Sequence, residues 1–129
     1  MSEDKSESTG RGRILLAEDD DSMRAFLERA IERAGYDVVA VDRGTSALPH
    51  IADGRFDLLL TDIVMPEMDG IELAQRAAAL APGMRVMFIT GFAAVALSKN
   101  SGAPEDVRVL SKPFHLRELT NEIERALAA

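Results

Sequence analysis

The sequence predicts an α/β fold, a doubly wound five-stranded parallel sheet with five helices. Two observations carry this. Five short apolar runs are mostly continuous, where a half-exposed strand would alternate, so they suit strands buried on both faces. The segments between them carry apolar residues at helical spacing, which gives strand then helix five times over. Right-handed crossovers turn that order into a parallel sheet with helices on both faces.

The elements follow in chain order. Met1 to Gly12, MSEDKSESTGRG, is polar and without periodicity and is expected to be a disordered tail, leaving residues 13–129 as one domain. The first strand is Ile14 to Ala17. Met23, Phe26, Leu27, Ala30, Ile31 and Ala34 then form an apolar stripe opposite Glu28, Arg29, Glu32 and Arg33, and Gly35 ends that helix. Val38 to Val41 is the second strand, placed at a sheet edge. A shorter helix over Ser46 to Ala52 contains Pro49, which costs a hydrogen bond unless it lies in the first turn. Leu58 to Leu60 is the third strand. Ile71, Ala74, Ala77 and Ala78 mark the third helix, ending near Pro82-Gly83. Val86 to Ile89 is the fourth strand, and the weakest helical pattern follows it, from Ala93 to Leu97. Val107 to Leu110 is the fifth strand. Leu116, Leu119, Ile123, Ala126 and Leu127 give the last helix a clear stripe.

Composition narrows the function. The 129 residues are 47% apolar and 29% charged, ordinary for a globular domain. The net charge of -7 disfavours nucleic-acid binding. It suits solubility, a bound cation or a basic partner surface. With no cysteine, disulfides, thiolate catalysis and zinc-thiolate sites are excluded. His50 and His115 form no metal-binding pattern. No apolar run approaches the roughly 20 residues that span a membrane, and the acidic N-terminus is unlike a signal peptide. A cytoplasmic, monomeric protein is expected.

In open α/β sheets, ligands bind beyond the carboxyl ends of the strands. Glu18 and Asp19 follow the first apolar run, Thr61-Asp62 the third, Thr90-Gly91 the fourth and Ser111-Lys112-Pro113 the fifth. Each has an ordinary explanation. Acidic residues after a strand are commonly helix N-caps, which suits Asp20 or Asp21. A lysine before proline is often a solvated charge, and a threonine at a strand end a turn residue. Four strand ends delivering carboxylates, a hydroxyl and an ammonium to one rim is the stronger signal. Clustered carboxylates repel unless a cation sits between them, and Mg²⁺ takes one or two carboxylates plus phosphate oxygens. Asp19 and Asp62 would be direct ligands, with Glu18 direct or through water. Asp62 could attack phosphorus to form an acyl phosphate. Lys112 would pair with the phosphoryl oxygens, and Thr90 would donate a hydroxyl hydrogen bond to them.

With those residues in place, the chain resembles the receiver domains of bacterial response regulators. The segments that carry the resemblance are ILLAEDDDSMR, LLLTDIVMPEMDG, FITGF and LSKPF, and it runs from Arg13 to the C-terminus. It implies a CheY-like (flavodoxin-like) sheet of strand order 2-1-3-4-5. It also implies Asp62 as phosphoacceptor, Glu18 and Asp19 as the acidic pair, Thr90 as switch hydroxyl, Lys112 as the family's lysine and the Val64 backbone carbonyl as a further Mg²⁺ ligand. A cis peptide before Pro113 is expected on the same ground. Within the family, ILLAEDDDSMRAFL, VMFITGFAAVAL and VLSKPFHLREL are similar to stand-alone receivers of alphaproteobacteria. That similarity implies a histidine phosphotransferase or histidine kinase as donor. It further implies control of ClpXP proteolysis, with the unphosphorylated form engaging ClpX.

The chain departs from the family in places. Val109 stands three residues before the lysine, where many receivers have Tyr or Phe, so another residue must read out Thr90. Phe92 is a candidate, and shielding the site or packing in its loop is the plainer role. Gly102-Ala103 comes three residues earlier than usual and Pro104 follows, so a short or displaced fourth helix is expected. His115 stands where an N-cap Asp or Thr is common, and weak capping or solvent exposure suits it. No output module is expected after the last helix, so the signal is expected to leave by protein contact. Arg117 and the exposed side of the last helix are candidates, a solvated face being the alternative. Ala126 to Ala129 is similar to a C-terminal tag read by ClpX, an Ala-rich helix end being the plainer reading.

Other functions fit less well. A phosphatase-type enzyme using an aspartyl phosphate would carry Asp-x-Asp-x-Thr after the first strand. Here Asp19-Asp20-Asp21-Ser22-Met23 has Met in the Thr position. A flavin-binding domain of the same architecture lacks support, since the chain has no Trp, one Tyr and no Gly-rich phosphate loop. A receiver fold that never uses its phosphate would not need the full acidic, Thr and Lys set. The protein is expected not to be an enzyme.

Overall fold

A computed structural model describes residues 11–91, 102–103 and 107–128. The strands are β1 (Arg13–Ala17), β2 (Asp37–Val41), β3 (Leu58–Asp62), β4 (Arg85–Thr90) and β5 (Arg108–Ser111). They form one sheet in the order β2-β1-β3-β4-β5, with every neighbouring pair parallel. This is the doubly wound architecture that the apolar runs predict. Among the described residues four helices cover it: α1 (Asp21–Arg33), α2 (Gly44–Asp53), α3 (Gly70–Leu80) and α4 (Leu116–Ala128). The helix expected over Ala93 to Leu97, Phe92 beside it, Pro104, most of the N-terminal tail and Ala129 lie outside the described residues. None of the described helices is long and apolar enough to cross a membrane.

Side chains alternate across a strand, so each strand feeds two cores. Ile14, Leu16, Leu58, Leu60, Met87 and Ile89 meet α1 and α4 through Leu27, Ala30, Ile31, Leu119, Ile123 and Ala126. Leu15, Ala17 and Leu59 meet α2 and α3 on the other face, through Ala47, Ile51, Leu73 and Ala77. A smaller cluster joins Ile63, Ile71, Ala74 and Phe88 to Ala103, Val107 and Val109. Val109, facing Phe88 across the β4–β5 register, is therefore a packing residue.

Local chemistry sets the helix ends. Asp20 caps α1 by accepting from Met23 N, and Asp69 caps α3 by accepting from Glu72 N. Gly35 adopts φ +100 just past α1, as its place after the last stripe residue requires. At α4, His115 N–H donates to the Glu118 carboxylate at 2.8 Å, which is half of a capping box.

Four expectations need correction. Phe26 is 51% exposed, because α1 buries the narrower face of Leu27, Ala30 and Ile31 and leaves Phe26 at its margin. Ala78 is exposed and Leu73 is buried instead, since α2 packs on that side of α3. Leu116, the first residue of α4, is 47% exposed, and burial starts at Leu119. Helix α2 begins at Gly44, so Pro49 lies in its interior and withholds the N–H that would reach back one turn.

Candidate functional site

Strand β1 ends at Ala17, and the chain turns into α1 through Glu18, Asp19 and Asp20. Glu18 N–H donates to Val41 O at 3.1 Å, which ties the turn to β2. Glu18 is buried, with Oε2 accepting from Asp20 N–H at 3.1 Å. Asp62, the last residue of β3, is 8% exposed. Its Oδ1 accepts from Ile63 N–H at 2.7 Å and faces Val64 N–H at 3.4 Å. Glu18, Asp19 and Asp62 each place a carboxylate oxygen within 4.8 Å of the others. Among the described residues Glu18 Oε1 is buried with no hydrogen-bond partner.

Lys112 follows β5 and reaches across the sheet end. Its Nζ lies 3.0 Å from Asp62 Oδ2 and 3.7 Å from Glu18 Oε1, the second distance an ion pair but not a hydrogen bond. The Lys112–Pro113 peptide is cis, as the resemblance implies, and Lys112 N–H donates to Thr90 O at 2.9 Å. Thr90 is buried at the end of β4, one position beyond Ile89, the register partner of Asp62. Val64 stands in the turn after β3 with its side chain exposed. The sequence-predicted residues thus gather at one rim.

Electrostatics follow from this crowding. Burial pushes the Glu18 carboxyl up to about 6 from the ordinary 4.5, with the Asp62 and Asp19 charges adding to the rise. The Asp20 N–H and Lys112 oppose it. For Lys112, burial works to lower the pKa, but the hydrogen bond to Asp62 and the charges of Asp62 and Glu18 outweigh it, and the net shift is upward. A cluster of like charges around a buried carboxylate oxygen without a donor is the environment a hard cation relieves. The donors are all oxygen, as Mg²⁺ prefers. The residues therefore fit such an ion, and Glu18, Asp19 and Asp62 could hold one.

Two residues of the site carry more than their sequence positions suggest. A Cβ on Gly70 would overlap the Asp62 carbonyl oxygen, and Gly70 N–H donates to Ile63 O at 2.7 Å. The first turn of α3 thus presses directly on the backbone of Asp62, and the Asp69-Gly70 pair at a helix start was the available signal. Arg24 of α1 reaches back to the acidic turn, donating to Glu18 O at 3.1 Å and Asp21 Oδ1 at 2.7 Å. Its place three residues after Asp21 was the only hint in the sequence.

Comparison with known proteins places the chain among relatives of the same fold. The family model for the response regulator receiver domain matches residues 14–124. The chain is 63% identical to the response regulator receiver protein CpdR of Brucella abortus (strain 2308), over 91% of this chain and 98% of that one. It is 33% identical to the sensor kinase CckA of the same organism, over 92% of this chain but only 13% of the kinase. Among solved structures, a CheY-like receiver domain protein from Methanospirillum hungatei JF-1 superposes with a TM-score of 0.79 at 33% identity, over 90% of this chain and 93% of that one. The receiver domain of the hybrid histidine kinase CckA gives 0.76 at 31% identity, over 90% and 99%.

Proposed function

This chain belongs to the family of response regulator receiver domains, and from that premise we propose that Asp62 accepts a phosphoryl group and that the phosphorylated state is read by protein contact. The observation that carries the proposal is the convergence of Glu18, Asp19 and Asp62 within 4.8 Å, with Lys112 3.0 Å from Asp62.

A carboxylate oxygen of Asp62 attacks phosphorus of a phosphohistidine. The P–O bond forms as the P–N bond breaks, and the imidazole leaves with the electron pair and takes up a proton. The Ile63 N–H holds the other face of the Asp62 carboxylate and fixes its rotamer. Lys112 already lies against Asp62, so it can transfer its ion pair to the new phosphoryl oxygens without crossing the site. Thr90 donates its hydroxyl to the same oxygens. Glu18, Asp19, Asp62 and the Val64 carbonyl would hold Mg²⁺, which when bound would supply charge neutralisation between the acidic rim and the incoming phosphoryl group.

The donor in this reading is a histidine phosphotransferase or histidine kinase. The output is control of ClpXP proteolysis, with the unphosphorylated form engaging ClpX. The 63% identity to CpdR supports this role. Incubation with acetyl phosphate should label the protein only when Mg²⁺ is present, and Asp62→Asn should take up no label. Persistent labelling of that variant overturns the assignment. Purified ClpX should retain the Asp62→Asn variant and release the phosphorylated protein, and equal retention of both removes the proteolysis arm.

A further inference from the structure

We propose that Arg24 is a positioning residue for the acidic turn, and that its guanidinium fork sets where the Glu18 and Asp19 carboxylates stand. The inference rests on the metal-binding role given to those carboxylates and adds a residue that touches neither the ion's ligating oxygens nor the phosphoryl group.

Four acidic residues stand in a row from Glu18 to Asp21, and a turn of that composition tends to spread by self-repulsion. Its start is fixed by Glu18 N–H on Val41 O. Its end is fixed by the first turn of α1, where Arg24 N–H donates to Asp20 O at 2.8 Å and Met23 N–H to Asp20 Oδ1 at 2.8 Å. Between these points lies the peptide that joins Glu18 to Asp19. Its carbonyl oxygen is the acceptor of Arg24 Nη1 at 3.1 Å, in a partly buried contact. That bond sets the plane of the peptide and so the direction in which Asp19 leaves it. The second arm, Nη2 on Asp21 Oδ1 at 2.7 Å, orients the fork. Asp21 is 89% exposed and Arg24 only 23%. The ion pair itself therefore contributes little, and the carbonyl bond is the working contact. A planar fork can hold both acceptors at once, which the point charge of a lysine cannot.

Charge and positioning predict opposite signs, which makes the proposal testable. Were Arg24 only a nearby positive charge, Arg24→Gln would tighten Mg²⁺ binding and Arg24→Lys would leave it unchanged. As a positioning residue, Arg24 lost in either way should weaken Mg²⁺ binding about tenfold, the lower end for outer-shell partners of metal ligands. Asp21→Asn should stay within about twofold, as an exposed partner does. The measurements are Mg²⁺ titrations of the full chain followed by NMR, with amide exchange of Asp20, whose N–H bonds Glu18 Oε2, recorded without the ion. Faster Asp20 exchange in both Arg24 variants is expected. Tighter or unchanged Mg²⁺ binding in Arg24→Gln, a wild-type affinity in Arg24→Lys, or an Asp21→Asn loss equal to that of Arg24→Gln overturns the proposal. If the wild-type chain itself binds no Mg²⁺, the metal-binding role fails. Asp20 exchange then decides the brace alone, and unchanged exchange overturns that too.

Discussion

The two ends of the sheet each bury one carboxylate oxygen that has no hydrogen-bond partner among the described residues, Glu18 Oε1 at the rim and Asp37 Oδ2 at the start of β2. Their surroundings differ. Around Asp37 the strands are closed by reciprocal bonds. Arg13 N–H donates to Asp57 Oδ2 at 2.8 Å, Asp57 N–H returns to Arg13 O at 2.8 Å, and Asp37 N–H donates to Gly12 O at 3.0 Å. The Arg13 guanidinium lies 4.7 Å from the centroid of the Phe56 ring. Around Glu18 stand two more carboxylates and one ammonium. An orphaned carboxylate oxygen alone does not define a site. What distinguishes the rim is that several ionisable groups share one small volume, so that adding or removing a charge changes all of them.

The contrast can be broken hardest at Gly70. Gly70→Ala forces the Asp62 backbone to move, and the expected loss is about 3 kcal/mol in urea unfolding, with impaired phosphorylation. A variant of normal stability that labels normally would show that α3 does not press on Asp62. Glu18→Gln comes next, and its effect should be of opposite sign. The folded-state value of about 6 lies above the ordinary 4.5. Without divalent ion, Glu18 therefore makes stability fall as pH rises across that window and level off above it. Removing the charge should add about 2 kcal/mol at pH 7 while abolishing tight Mg²⁺ binding. A wild-type profile flat from pH 4.5 to 6, seen by chemical denaturation, would contradict this.

At the opposite end, Asp57→Ala strips the acceptor from Arg13 N–H and should cost about 1–2 kcal/mol, with Mg²⁺ affinity unchanged. A shift in affinity would mean that the two ends are coupled. The smallest effect belongs to Arg76→Ala on the outer face of α3. Its pair with Glu72 is about half exposed on both sides, and the loss in a thermal melt should correspond to less than about 0.5 kcal/mol.

Much of this was legible in the chain. Strands buried on both faces advertise themselves as unbroken apolar runs, and β1 and β3 gave unambiguous signals through Ile14 to Ala17 and Leu58 to Leu60. The rim residues were legible because strand ends converge by topology, so position along the chain translates into position in space. Phe26 and Leu116 misled because periodicity marks the apolar side of a helix but not how much of its margin or first turn the sheet covers. Glu118 pointed to the capping of His115 three residues earlier and could have been used. Gly70 and Arg24 were harder, since a close approach between backbones and a bond to a carbonyl leave no trace in hydropathy.

Arg11 has a practical consequence for anyone wishing to watch the site. Its guanidinium lies 4.8 Å from the centroid of the Tyr36 ring, donates to Ala34 O at 2.7 Å and pairs with Glu124 of α4 at 2.9 Å. It thereby clips the chain to the end of the sheet remote from Asp62. Strand β1 separates the two ends, and five residues at about 3.3 Å each make roughly 17 Å. With no tryptophan in the sequence, an attached dye is the natural optical reporter. A dye or affinity handle joined ahead of Arg11 would hang from that far end, leaving Asp62 open to a docking protein.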